Sequence, residues 1–344
     1  MQRRNQTLLI MRVPYSKSLL ASSCLGYSLP PVRGNYRVGR RRLRSSVLTA
    51  VVLLLGRAAP TIAQELEPGA YSISPVGVNI LVLSNNLSVG DLAFDPTGPI
   101  EDAKATINTT TVGYVRTLNF LGHSSNVGIV IPYAAGDLEG KYLDVFQMIY
   151  RSGLRDPLLR FATNLYGAPA MKLKEFAGYR QKTNIGASLT LAAPLGQYDP
   201  RKLLNPGTNR WSFKPELCLS QALGKWTLDF YVGVWLFTTN NDFFGGKSRK
   251  QNPIGSAQVH LLYTFRPRLW AALDANFYAG GRTTVNGSQN FDLQRNSRVG
   301  GTLSLPLGRR QSLKFAYNRG ARTTIGGDFD ALIVAYQYLW GAGL

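Results

Sequence analysis

The chain reads as all-β: a transmembrane, antiparallel up-and-down β-barrel of about 12 strands. Three observations carry that reading. Segments of roughly ten residues alternate apolar and polar side chains, as tilted membrane strands do. The gaps between segments alternate short and long. Only 17% of the 344 residues are charged and 44% are hydrophobic, yet mean hydropathy is −0.08 and no run of 18 apolar residues occurs. A helical membrane protein is thereby disfavoured, whereas a barrel needs apolar residues only at every second position.

The first element is a leader. Arg40-Arg41-Arg42-Leu43-Arg44 precedes an apolar core, Val47 to Leu55, and Thr61-Ile62-Ala63 follows. A basic region, a short apolar core and small residues at −3 and −1 predict a secretory signal cleaved after Ala63, with residues 64–344 as the barrel. Residues 1–39 precede the usual signal layout. They fit an upstream start codon or an extended basic region; an organelle transit peptide is the alternative, and the barrel pattern downstream favours bacterial export. This leader also explains the net charge of +20: residues 1–63 hold eleven basic and no acidic side chains, and the rest holds 28 basic and 19 acidic. A nucleic-acid-binding role is therefore not expected.

The expected strands then run Ala70–Leu83, Thr106–Leu118, Ser124–Ala134, Leu154–Tyr166, Thr183–Ala193, Arg210–Gln221, Lys225–Thr238, Ile254–Phe265, Leu269–Gly280, Ser297–Pro306, Gln311–Arg319 and Phe329–Trp340. The seventh is the clearest. Trp226, Leu228, Phe230, Val232, Val234 and Leu236 share one parity, which faces lipid; Thr227, Asp229, Tyr231, Gly233 and Trp235 share the other. The final strand likewise lines up Leu332, Val334, Tyr336, Tyr338 and Trp340. Tight turns at Leu121-Gly122, Leu223-Gly224, Arg266–Arg268 and Leu307–Arg309 belong to the periplasmic side. Long gaps at 84–105, 136–153, 196–209, 239–253 and 281–296 belong outside the cell. Gly167 to Lys182 departs from the rhythm, being long where a short turn is due. Leu173, Phe176 and Ala177 lie at helical spacing there, so the segment reads either as a short amphipathic helix or as a polar loop. Glu65-Leu66-Glu67-Pro68 is too short for a plug or an energy-coupling box.

The stretches Gly153–Pro157, Leu165–Ala170, Asn209–Trp211, Gly280–Gly287 and Tyr336–Trp340 together resemble one family. It is the MetA-pathway-of-phenol-degradation family of outer-membrane β-barrel transporters, and the resemblance runs from about residue 69 to 340. It implies an outer-membrane location and a link to aromatic compounds. A C-terminal aromatic strand implies recognition by the barrel-assembly machinery, although Gly341–Leu344 extend beyond Trp340.

Inward parity selects the lumen candidates: Lys214, Glu216, Asp229, Tyr231, Trp235, Trp270, Asp274, Asn276, Tyr278, Arg298 and Lys314, with His260 beside them. Charges at lipid-facing positions are costly, so inward placement alone does not assign a role. Lys214 is expected to pair with Glu216 or Asp229. Tyr231, Trp235, Trp270 and Tyr278 offer flat faces to an apolar or aromatic solute, or simply fill a narrow barrel. His123-Ser124-Ser125 resembles the H-x-S spacing of outer-membrane phospholipase A, where a third group orients the histidine; turn residues explain it equally. Cys24 and Cys218 cannot form a disulfide framework, and no metal or cofactor motif appears. Gly245–Lys250 is a basic external loop that could meet lipopolysaccharide phosphates. The function expected is passage of small hydrophobic or aromatic solutes. The alternatives are a non-conducting structural or adhesive barrel and, third, a membrane hydrolase built on His123 and Ser125.

Overall fold

A computed structural model describes residues 66–93, 100–142 and 144–343. The predicted signal lies outside the described residues. Seventeen strands and one short helix follow in order: β1 (Val78–Ala93), β2 (Ile100–Phe120), β3 (His123–Tyr142), β4 (Val145–Leu154), β5 (Leu158–Tyr166), α1 (Leu173–Gly178), β6 (Thr183–Ala192), β7 (Ser212–Leu223), β8 (Trp226–Phe237), β9 (Asn240–Phe243), β10 (Lys247–Gln251), β11 (Ile254–Arg266), β12 (Leu269–Gly280), β13 (Thr283–Val285), β14 (Ser288–Gln289), β15 (Gln294–Pro306), β16 (Gln311–Arg322) and β17 (Gly326–Gly341).

Twelve staves close into an antiparallel barrel. Each pairs with its neighbour in sequence, β4 and β5 together form one stave, and β1 returns to β17. The break at Arg155-Asp156-Pro157 has a local cause. Proline brings no backbone donor to the ladder. Asp156 turns instead to the loop between β6 and β7, where its carboxylate accepts from the Gly196 and Thr208 amides at 3.0 and 2.9 Å.

The expected parity is realised in the wall. Leu228, Phe230 and Val232 are 42–46% exposed on the outer face, while Asp229 and Tyr231 between them are 2% and 1% exposed. Among the tight turns, Leu121 (φ +52°) and Gly122 (φ +83°) both adopt left-handed backbone, as a two-residue hairpin of matching twist requires. Residues 167–182 include α1, which packs through Phe176, with Tyr179 after it, on Ile73, Ala168 and Met171.

Four expectations are corrected. The first strand begins at Val78, not Ala70, because residues 66–77 enter the barrel. The expected loop at 84–105 is largely the paired tops of β1 and β2, with 94–99 outside the described residues. The expected loop at 136–153 is a β3–β4 hairpin. β2 and β3 are 21 and 20 residues long, about twice what a bilayer needs. Their upper halves stand above the lipid, where no apolar outer face is required. Asn85, Lys104 and Asp137 point outward there, so the apolar alternation disappears while the strands continue. The expected basic loop Gly245–Lys250 lies largely in β10 (Lys247–Gln251), part of a separate four-stranded external sheet with β9, β13 and β14.

Val232→Arg should destabilise the barrel by about 2–4 kcal/mol, since it puts a cation on the lipid-facing midplane. Reversible urea unfolding in phospholipid vesicles measures the change.

Candidate functional site

The inner face is polar, packed and joined to the N-terminal segment. The chain enters from the periplasmic side, and residues 66–77 thread along the lumen wall to reach β1. The Gly69 amide donates to Asp229 Oδ2 at 3.2 Å, and the Ala70 amide to the Tyr231 hydroxyl at 3.2 Å. That hydroxyl donates in turn to Asp229 Oδ2 at 2.9 Å. The Tyr71 hydroxyl lies 2.7 Å from Ser188 Oγ and donates to Glu216 Oε1 at 3.1 Å. Lys214 Nζ sits 2.5 Å from Glu216 Oε2. Asn184 donates to the Tyr71 carbonyl and to Asn164. The segment is thus held by side chains of several staves, and a plug exists that its short sequence did not announce.

Ring packing fixes the same centre. Tyr71 meets Tyr231 edge-on, with centroids 5.2 Å apart, and the Arg160 guanidinium lies 4.8 Å from the Tyr71 ring centre. Gly186 permits this approach: a Cβ there would lie 2.6 Å from the Tyr71 ring. Tyr231 also packs on His260 at 5.0 Å. His260 Nδ1 is 2.7 Å from Asp274 Oδ1, and Thr302 donates to Asp274 Oδ2 at 2.8 Å. The carboxylate therefore orients the imidazole and is itself oriented from a third stave. Further round, Arg298 donates twice to Asn318 Oδ1 and once to the Phe329 carbonyl.

All eleven lumen candidates lie on the inner parity, but they do not form one constellation. Asp229, Tyr231, Lys214 and Glu216 belong to the plug contact. Asp274 belongs to the histidine relay and Arg298 to the β15–β17 wall. Asn276 and Tyr278 are buried above Asp274 on β12. Lys214 lies over Trp235 and Lys314 over Trp270, at 5.9 and 5.6 Å from the ring centres. Sequence reasoning missed Tyr71, Ser188 and Asn184. Tyr71 had been assigned to a membrane strand, and Ser188 and Asn184 are unremarkable polar residues until the plug meets them.

His123 and Ser125 do not form a nucleophile–base pair. Ser125 is 2% exposed, and its hydroxyl lies near Thr163 Oγ1 (2.8 Å) and the His123 carbonyl (3.2 Å), not the imidazole. A base must reach the nucleophile's proton.

The seam between β1 and β17 differs from the rest of the wall. Registered pairs occur only at its ends: Val78 with Gly341, and Leu92 and Ala93 with Gly327 and Gly326. None joins residues 79–91 to 328–340, although the strands stay adjacent; a Cβ on Gly90 would fall 2.0 Å from the Asp328 carbonyl oxygen. At the base, Asn79 Nδ2 donates to the Trp340 carbonyl at 3.3 Å, a side chain standing in for the ladder. Ile80, Val82, Ile333 and Leu339 face inward along this seam, and Leu81, Leu83, Leu332 and Val334 face outward.

Two outcomes follow for the plug. Gly186→Val should expel the Tyr71 ring and render the backbone after it cleavable by chymotrypsin, whereas Tyr71 at 3% exposure is protected in the parent protein. Asp229→Ala leaves a tyrosine hydroxyl and an amide short of an acceptor. It should lower unfolding free energy by about 1–3 kcal/mol in the same urea assay.

Comparison with known proteins gives the wall its family. The COG4313 outer membrane channel from Pseudomonas putida F1 is 21% identical, with 80% of this chain and 100% of that chain covered and a TM-score of 0.67. The transport unit of the autotransporter AIDA-I from Escherichia coli is 10% identical over 86% of this chain and 97% of its own, at 0.47. A mutant of the TodX monoaromatic hydrocarbon channel is 10% identical over 80% and 92%, at 0.43. No curated protein matches. The first of these likenesses shows the fold, and with the exposed apolar belt it describes a barrel of the bacterial outer membrane. Residues 88–329 match the model of the family described as "Putative MetA-pathway of phenol degradation", and the chain belongs to that family.

Proposed function

We propose that the protein is a passive outer-membrane channel for small hydrophobic or aromatic solutes. The observation that carries this reading is the contrast between its two inner surfaces. The lumen wall is largely polar, and the plug packs on it at Asp229, Tyr231, Ser188, Glu216 and Asn184, so the axis suits an apolar solute poorly. The periplasmic half of the β1–β17 seam is mostly apolar on both faces, Gln337 and Asn79 apart, and carries registered pairs only at its ends. An apolar molecule entering from the external mouth gains by leaving polar surroundings for that seam and then for lipid. Parting two strands there sacrifices few backbone bonds, which is the term that keeps other seams shut. Of the inward residues, Lys314 on β16 lies nearest this seam and sits over Trp270, while Asp229, Tyr231, Lys214 and Glu216 hold the plug on the far side of the lumen. Membrane lipid and lipopolysaccharide surround the wall, and the aromatic strand β17 suits delivery by the barrel-assembly machinery.

A non-conducting structural or adhesive barrel is the competing reading, and the plug favours it. Flux of toluene and phenol into protein-containing liposomes separates the two. Passage well above that of empty liposomes supports the channel, and equality supports the structural barrel. Cysteines at Val82 and Gln337, which the register of the end pairs sets opposite each other, should lock the seam when oxidised. Toluene flux should then fall and return on reduction; flux that ignores the lock would remove the seam from the route.

A further inference from the structure

Two arginines in the external cap are left without a neutralising partner. Arg210 ends the loop before β7, and Arg249 lies in β10. Gln251 is two residues beyond Arg249, hence on the same face of that strand, and its side-chain oxygen accepts from Arg210 Nη2. Both guanidiniums therefore approach one face of the external sheet. Arg210 lies 4.3 Å from the Phe237 ring centre, and Arg249 5.1 Å from that of Phe243. Stacking of this kind holds a guanidinium plane while leaving its N–H edge available.

Part of that edge is unused at Arg210: Nη2 donates to Gln251, while Nε and Nη1 are buried without a hydrogen-bond partner. Among the described residues no ion pair includes Arg210 or Arg249. The acids that act on them are engaged elsewhere. Asp156 accepts from Gly196 and from the amide and hydroxyl of Thr208. Asp292 accepts from the amide and hydroxyl of Thr283. Burial, and then the charge of Arg249, bring the Arg210 guanidinium down to about 10; burial lowers Arg249 as well. A desolvated guanidinium with two unused donors, beside a second buried guanidinium, is costly alone and is relieved by an anion.

We propose that Arg210 and Arg249 form an oxyanion site at the extracellular mouth that takes a carboxylate or phosphate group. As the carboxylate of an aromatic acid it deepens the channel reading by naming a solute class; as phosphate it serves free phosphate or a lipid headgroup. The shared chemistry is two guanidiniums facing one oxyanion.

Isothermal titration of the purified barrel in detergent tests the site with three probes: benzoate, inorganic phosphate and neutral benzyl alcohol. Benzoate or phosphate should bind, with each displacing the other from the unmodified protein, a result that needs no variant. Arg210→Gln and Arg249→Gln should each weaken binding about tenfold or more. Arg210→Lys should fall between, and Arg201→Gln, a fully solvated cation paired with Asp199, should bind as the parent does. Heat-modifiable gel migration confirms folding of each variant. Tighter binding of benzoate than phosphate assigns the site to a solute, and the reverse to a phosphate group. Equal binding by the parent and the Arg210→Gln/Arg249→Gln double variant, or benzyl alcohol binding as well as benzoate, would overturn the site. Toluene flux is read on the same variants, so loss of this site and loss of the channel reading are separate results.

Discussion

In hydrocarbon, every backbone N–H and C=O must find its partner within the protein, and this constraint shapes the whole chain. An open sheet would leave two edges unpaired in lipid, so the twelve staves close. Closure fixes the wall, and the wall fixes which parity meets lipid and which meets the interior. The β1–β17 seam is where the constraint is met most sparingly: registered pairs at both ends, a side-chain amide at the base, and apolar residues over part of the stretch between. The sparsely registered seam is apolar in part of its length, with Ile80, Val82, Ile333 and Leu339 inward, which is why it, and not the axis, stands as the proposed route for an apolar solute.

The interior answers a second constraint. Polar residues turned away from lipid must still be hydrogen-bonded once water is excluded, or they cost more than they contribute. Here the N-terminal segment supplies part of the answer. It brings two amides, a carbonyl and a tyrosine hydroxyl to Asp229, Tyr231, Asn184, Ser188 and Glu216. The plug is therefore part of the packing of the barrel, and the room that Gly186 leaves for Tyr71 is shaped to receive it. Above the lipid, Asp156 plays a related part. It breaks a stave and uses its carboxylate to hold the loop that carries Arg210, so an interruption in the wall organises the external cap.

Much of the architecture was legible in the residues. From β6 onward the apolar parity appears in unbroken runs, because lipid demands it at every outward position of the span. Tight and long gaps alternate there for the same reason of topology. Legibility failed where the lipid stops. Asn85 to Asp91 and Asp137 to Lys141 belong to strands as regular as any other, yet outside the bilayer neither face needs apolar residues, so the pattern vanished. It failed again at residues 70–77, where apolar side chains adjacent to a true strand resemble its beginning although they pack against the lumen wall. The lumen candidates were found by parity, but their grouping was not, since parity states which way a side chain points and nothing about which stave it meets.

The sequence by itself determined a barrel of about twelve staves, its lipid-facing residues and its family resemblance. These follow from period-two alternation and gap length, which are local properties of the chain. Only the tertiary structure decided that the lumen holds its own N-terminal segment, that the closing seam is barely paired, and that Arg210 and Arg249 approach one face of the cap. Each of these joins residues far apart in the chain, and their partners are set by the closure and twist of the barrel, to which no local pattern gives access.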